Sequence, residues 1–201
     1  MTSIEQVFEH LNRDEQLRSL IASTAPRPPR IEPNVYRVLL RSIVGQQLST
    51  KAAATIWDRF VKLFPEELTP DAVLKLDVEV MRQSGLSYQK ASYVQNIARF
   101  VMEHELNDAH LQTLTDDEAL DFLCQIKGVG RWTAEMILMF SLGREDVFPV
   151  DDLGIRQAMI RLYDFQGNKK QQTAQMLAKS EEWRPYRTFV CNLLWDWKDG
   201  R

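Results

Sequence analysis

The stretch from Gln125 to Gln157, QIKGVGRWTAEMILMFSLGREDVFPVDDLGIRQ, decides how the chain is read. It opens on Lys127-Gly128-Val129-Gly130 between two helix-like runs. It closes on an acidic pair, Asp151-Asp152, where an extended segment meets another helical pattern. A tight turn with two glycines needs backbone freedom at both. In such a turn successive N–H groups point one way, at the start of a helix whose dipole favours an anion. A nucleic-acid phosphate fits that arrangement without any base readout, with Lys127 and Arg131 flanking it. The turn's carbonyls suit a monovalent cation beside the phosphate. On these residues alone, a ligand-free glycine turn between two helices accounts for the pattern equally well.

The acidic pair is also open to two readings. Aspartate is a good N-cap, and Val147-Phe148-Pro149-Val150 is extended because a residue before proline avoids the helical region. One Asp capping and the other solvated would satisfy the local pattern. The functional reading has one carboxylate fix the helix start while the other faces a cleft. There it could stabilise positive charge on a reacting sugar. A charge pair at about 4 Å contributes roughly 4 kcal/mol at an effective dielectric near 20.

Working outward, helical periodicity dominates. Residues 3–23 read as two short helices, followed by the breaker Pro26-Arg27-Pro28-Pro29-Arg30. A helix starting at Asn34 is interrupted at Gly45-Gln46-Gln47, and Ser49 offers a cap for Thr50 to Phe64. Thr69 and Pro70 start a short helix, and Leu76 to Gly85 reads as another. Ser87 to Glu105 is long and periodic, whereas Leu106 to Asp121 reads as an acidic solvated face. Thr115 to Glu118 is capping-box-like, opening a helix to Ile126. After the glycine turn come Trp132 to Leu142, the helix from the Asp pair to about Tyr163, Lys170–Lys179 and Trp183–Trp197. No alternating strand pattern of useful length occurs. The class is all-α, with about ten to twelve short helices, a number set by the 3.6-residue pattern.

Composition bounds the function. At 201 residues the chain supports one good core or two small lobes. It has no apolar run of about 18 residues, so no membrane span is expected, and no secretory leader is visible. The two cysteines, Cys124 and Cys191, lie in apolar helical contexts and read as reduced core thiols. A reducing compartment follows: cytoplasm, or nucleus in a eukaryote. With three histidines scattered, a side-chain metal site is not expected. The formal net charge of −3 runs against nucleic acid. Only the contacting face need be basic, however, and Lys51, Lys127, Arg131, Arg156, Arg161, Lys169 and Lys170 lie in or near the central stretch or its partners.

Taken together, GVGRWTAEMIL, VFPVDDLGIRQ, WRPYRTFVCNLLW and, upstream, IVGQQLSTKAA resemble the helix-hairpin-helix (HhH-GPD) DNA glycosylases, compact 3-methyladenine type. The resemblance covers roughly Asn34 to Trp197. It implies a two-lobed all-helical fold with an active-site cleft between lobes. It divides the chain into 1–33, N-terminal helices and linker packing on the second lobe; 34–125, a helical lobe; and 126–201, hairpin, Asp helix and C-terminal helices. The larger bacterial members carry an extra N-terminal domain for which this chain looks too short.

By motif, Asp152 matches the catalytic aspartate, with Asp151 in reserve. Trp132, Met136 and Trp195 fall at base-pocket positions. Gln46, Gln47 and Leu48 match a turn that wedges into the duplex; Lys51 and the hairpin Lys127, Gly128, Val129, Gly130 and Arg131 match DNA contacts. The resemblance implies monofunctional base excision from damaged double-stranded DNA, after flipping the base out of the stack. It implies a monomer with no obligate protein partner, no required cofactor, and at most Na+ or K+ at the hairpin. Strand-cutting relatives have lysine directly after G-V-G-R; Trp132 stands there. No four-cysteine cluster motif is present near the C-terminus. The larger bacterial type has tyrosine where Met136 and Leu153 stand, so the lesion range can differ. An oxidised-purine glycosylase and a non-catalytic DNA-binding module are the alternatives.

Overall fold

Asp, Asn, Ser and Thr side chains start most of the helices, and this regular capping is what cuts the chain into short rods. A computed structural model describes residues 4–24 and 28–200; the side chain of Thr50, and Pro26 and Arg27 of the proline-rich breaker, lie outside the described residues. Among the described residues there are thirteen helices and no strand. No helix among them is long and apolar enough to cross a membrane.

The chain divides into two compact units. The first joins Met1–Ile31 to Gly143–Arg201. It contains α1 (Ile4–Leu11), α2 (Glu15–Ser23), α11 (Leu153–Tyr163), α12 (Lys169–Glu181) and α13 (Arg187–Asp199). Here α13 packs on both α2 and α11. The junction is polar. Asp14 caps α2 through Gln16 and Leu17 N–H and also receives Tyr163 Oη at 2.9 Å, Trp183 Nε1 at 3.1 Å and Lys179 Nζ at 2.9 Å. Burial opposes ionisation of Asp14, but the Lys179 ammonium, the Trp183 indole, the Leu17 amide and the Tyr163 hydroxyl outweigh it and hold the carboxyl below its usual range.

The second unit is Glu32–Leu142. It holds α3 (Val35–Gly45), α4 (Thr50–Val61), α5 (Pro70–Lys75), α6 (Val78–Gln83), α7 (Tyr88–Glu103), α8 (Asp108–Thr113), α9 (Asp116–Cys124) and α10 (Arg131–Phe140). The long α7 is its axle, packing on α3, α5 and α6, while α10 packs on α3 and α9. Ala91, Val94, Ile97 and Ala98 of α7 are fully buried, which is the stripe its three- and four-residue spacing dictates.

Several expectations are corrected. The glycine hairpin and α10 belong to the unit that starts at Glu32, not with the C-terminal segment. Leu106–Asp121 is not simply a solvated face: Leu106 and Leu111 are buried, and α8 lies within it. The helix expected over Leu76–Gly85 is capped by Asp77 and runs Val78–Gln83. The last helix starts at Arg187 rather than Trp183, because Pro185 disfavours helical geometry at Arg184. Cys191 is buried but Cys124 is exposed.

Candidate active site and nucleic-acid interface

In the first unit the chain is brought to the Asp pair by α13. Thr188 Oγ1 donates to Arg144 O at 2.7 Å and accepts from Val147 N–H at 3.1 Å. Arg187 grips Asp146 through both its side-chain carboxylate and its carbonyl. These contacts fix the extended segment, and a turn closed by Asp152 N–H on Pro149 O at 2.9 Å follows it.

Asp152 is then the N-cap of α11, its Oδ1 accepting Ile155 N–H at 2.8 Å. The same oxygen accepts the indole N–H of Trp195 at 2.9 Å. Asp152 is 9 % exposed, whereas Asp151 is exposed. The expected division of labour between the two acids is therefore corrected: cap and buried carboxylate are one residue, Asp152. Gly154 completes the arrangement. A Cβ there would sit 2.9 Å from Trp195 Cδ1 and 3.1 Å from Asp152 Oδ1, so the missing side chain is what lets the indole reach the carboxylate. Arg156, considered above for the DNA-facing surface, is buried instead and hydrogen-bonds Thr173 Oγ1 at 2.8 Å. Trp183 is core, 1 % exposed.

In the second unit the turn between α9 and α10 is pegged by buried Ile126 and Val129, with Val129 N–H on Ile126 O at 2.9 Å. Gly128 has φ +109°, and a Cβ on it would lie 2.7 and 2.8 Å from ring carbons of Tyr93. Backbone sign and ring contact both require glycine here. Gly130 is the N-cap of α10 with no side-chain cap bond, and nothing lies within 4 Å of where its Cβ would be. The space beside Gly130 at the start of α10 is therefore open, and a helix start attracts an anion. Lys127 and Arg131 are exposed beside it, Arg131 reaching Glu135 at 3.0 Å. Lys127 O accepts from Asn96 Nδ2 at 3.2 Å and Gly128 O from Gln46 Nε2 at 3.4 Å.

The Gly45–Leu48 turn is closed by Leu48 N–H on Gly45 O at 3.2 Å. Gln46 has φ −50° and ψ 133°, and Gln47 has φ 57°. These are type II turn angles, whose third position normally takes glycine. A left-handed non-glycine residue costs about 1–2 kcal/mol. The turn presents Leu48, 38 % exposed, to solvent. Leu48, Gln46, Gln47, Ser42 and Trp132 line one cavity of about 540 Å³. A second cavity of about 470 Å³ lies between Gln46–Gln47, the Lys90–Tyr93 turn of α7 and Gly128–Gly130. Met136, one turn beyond Trp132 in α10, is half-buried. Lys51 is exposed on α4 and shares a groove with Thr55 and Arg59.

The structure thus groups Gln46, Gln47, Leu48 and Trp132 around one cavity, and Gln46, Gln47, Gly128, Val129 and Gly130 around another, within one unit. It groups Asp152 with Trp195 in the other. Sequence reasoning missed Gly154, Ser42, Lys90, Tyr93 and Asn96. The last three recur at three-residue spacing on one helix, a signal that means nothing until α7 is placed against the hairpin.

An all-helical chain with a glycine helix–turn–helix hairpin in one unit and a buried, capped aspartate in the other has the parts of a base-excising DNA-binding protein. The model of the HhH-GPD superfamily of base excision DNA repair proteins matches residues 40–185, and the chain belongs to that superfamily. It is 34 % identical to DNA-3-methyladenine glycosylase 1 of Schizosaccharomyces pombe, over 97 % of this chain and 88 % of that one. Among solved structures, a DNA-3-methyladenine glycosidase of Bacillus halodurans superposes with TM-score 0.85 at 33 % identity, covering 98 % of this chain and 89 % of that one. The S. pombe 3-methyladenine DNA glycosylase in complex with abasic DNA superposes with TM-score 0.84 at 33 % identity, covering 95 % of each.

Proposed function

We propose that this protein is a monofunctional DNA glycosylase that hydrolyses the N-glycosidic bond of alkylated purines, of the 3-methyladenine type, in double-stranded DNA. The observation that carries the reading is Asp152, a buried carboxylate held at a helix start by Ile155 N–H and the Trp195 indole.

A purine alkylated at a ring nitrogen carries positive charge and leaves readily, so little acid catalysis is needed. The transition state resembles a sugar cation. Asp152 stabilises that charge and orients the attacking water, a preorganised electrostatic role. The flipped base is electron-poor and stacks on tryptophan, with Trp132 and Trp195 as the candidate rings and Met136 beside Trp132. Gln46, Gln47 and Leu48 fill the gap in the duplex, and the Lys127–Arg131 hairpin holds a backbone phosphate on its amides. Lys51 adds an exposed cation on the same unit.

The carbonyls of Lys127 and Gly128, which already accept amide N–H groups, are the hard oxygen donors that would hold Na+ or K+ beside that phosphate. Trp132, in the place of a Schiff-base lysine, means that no strand cleavage follows base release. The protein works as a monomer on damaged DNA and requires no protein partner.

Asp152→Asn tests the reading cleanly. Asparagine caps helices as well as aspartate, and its amide oxygen can still accept both N–H groups. Base release from methylated duplex DNA should be lost while the thermal transition stays in place. Wild-type release rates in that variant would overturn the assignment. A borohydride-trapped covalent complex would overturn the monofunctional reading.

A further inference from the structure

The α3 helix ends without a basic residue in its last turn. Its final carbonyls lack intrahelical partners, and a helix C-terminus attracts a cation. The cation comes from α7: Lys90 Nζ donates to Val44 O at 2.8 Å and to Gln46 O at 2.7 Å. Lys90 is half-buried, and burial lowers the pKa of its ammonium from the usual lysine range. Gln46 in turn reaches Gly128 O, and Tyr93, one turn beyond Lys90, lies against Gly128. Between these points sits Gln47 at φ 57°, a strained conformation for a residue with a side chain. Such strain persists only where the surroundings over-determine it.

We infer that Lys90 is a positioning residue for DNA recognition: by bridging the carbonyls of Val44 and Gln46 it locks the strained Gln46–Leu48 turn to the glycine hairpin, so that the turn meets DNA already formed. The inference rests on the glycosylase reading given above. It departs from that reading in assigning a function to a lysine that touches no reacting atom. Without the ammonium the turn relaxes toward other conformations. DNA must then select the competent one, and apparent affinity falls by the fraction still competent. Arginine keeps the charge and the donors, so it should restore much of the effect.

The test uses the full chain and a duplex with an abasic-site analogue flanked by 2-aminopurine, whose fluorescence reports unstacking. Lys90→Met should weaken binding about tenfold and lower the fluorescence rise on binding. Release from methylated DNA at saturating enzyme should change far less than release below saturation. Lys90→Arg should lie between Lys90→Met and wild type. Wild-type affinity and fluorescence in a folded Lys90→Met variant would overturn the inference. If Lys90→Met does not fold, Lys90→Gln, which removes the ammonium but keeps a polar side chain, decides: it should lower affinity and the fluorescence rise, and unchanged values overturn the inference. Absence of base release by the wild-type protein sinks the glycosylase reading itself, and the binding and fluorescence comparison still judges Lys90.

Discussion

Trp195 donates its indole N–H to the same carboxylate oxygen of Asp152 that caps α11, at 2.9 Å, so the ring and the acid form one rigid pair. A tryptophan in this position could be valued for its face alone, as a stacking platform. The hydrogen bond gives it a second task. Trp195→Phe keeps an aromatic face and removes the donor. A hydrogen bond to a charged group contributes about 1.5–3 kcal/mol. We expect single-turnover base release to slow about tenfold or more, with a smaller change in affinity for abasic DNA. Equal losses in both would assign Trp195 to stacking only.

Gly154→Ala probes the same pair from below. In an ordinary helical position alanine would stabilise by about 1 kcal/mol. Here its Cβ meets Trp195 Cδ1 at 2.9 Å and Nε1 at 3.0 Å, contacts that force the indole away. The variant should lose stability in denaturant titration and lose activity in parallel with Trp195→Phe. In the double variant the smaller ring leaves room, so the stability penalty should largely vanish. A strictly additive cycle would show that the two residues do not interact.

The hairpin carries the matching constraint in the other unit. Gly128→Ala puts a side chain at φ +109° and into the ring of Tyr93. The backbone term alone is about 1–2 kcal/mol, and the overlap adds to it. The expected outcome is a loss of at least about 2 kcal/mol in stability, together with weaker binding to undamaged and abasic duplex alike, since a phosphate contact carries no base information. Gly128→Ala with Tyr93→Ala should recover only the overlap part.

These pairs show where sequence was sufficient and where it was not. Pro149 and the capping grammar of aspartate located the start of α11 to the Asp pair, and the capping box at Thr115–Glu118 located that of α9 to the residue. Glycine spacing located the hairpin. These are local rules, written within a few residues of the feature they set. Short helices carry too few turns for periodicity, which is why α8 read as a charged surface although Leu111 is fully buried. Gly154 was invisible for another reason: its importance lies in Trp195, which arrives from α13. Nothing near Lys90 in the sequence marks it out, because its acceptors at Val44 and Gln46 are more than forty positions away. Charge balance left the partner open for the same reason, since a net charge of −3 says nothing about which cations face outward.

Asp14 contributes to the acid sensitivity of the first unit. Its carboxyl is held below the usual range, with the burial penalty outweighed by Lys179, Trp183, Leu17 and Tyr163. A group with a depressed folded-state pKa contributes stability that is fully present above its unfolded value, about 3.9, and is lost as pH falls through the folded value. Lys179 shifts the other way: desolvation opposes its charge, but Glu182 and Asp14 outweigh it and raise its pKa, so its contribution is lost only on the alkaline side. Burial and the Asp14 charge also raise the Tyr163 phenol, which therefore remains the donor throughout the neutral range. Asp14→Asn should lower stability near neutral pH by about 1–3 kcal/mol, because hydrogen bonds to a charged, nearly buried carboxylate are weakened. It should also flatten the fall in melting temperature below about pH 4. A variant whose melting temperature drops with pH as steeply as wild type would place the acid-sensitive carboxylate elsewhere.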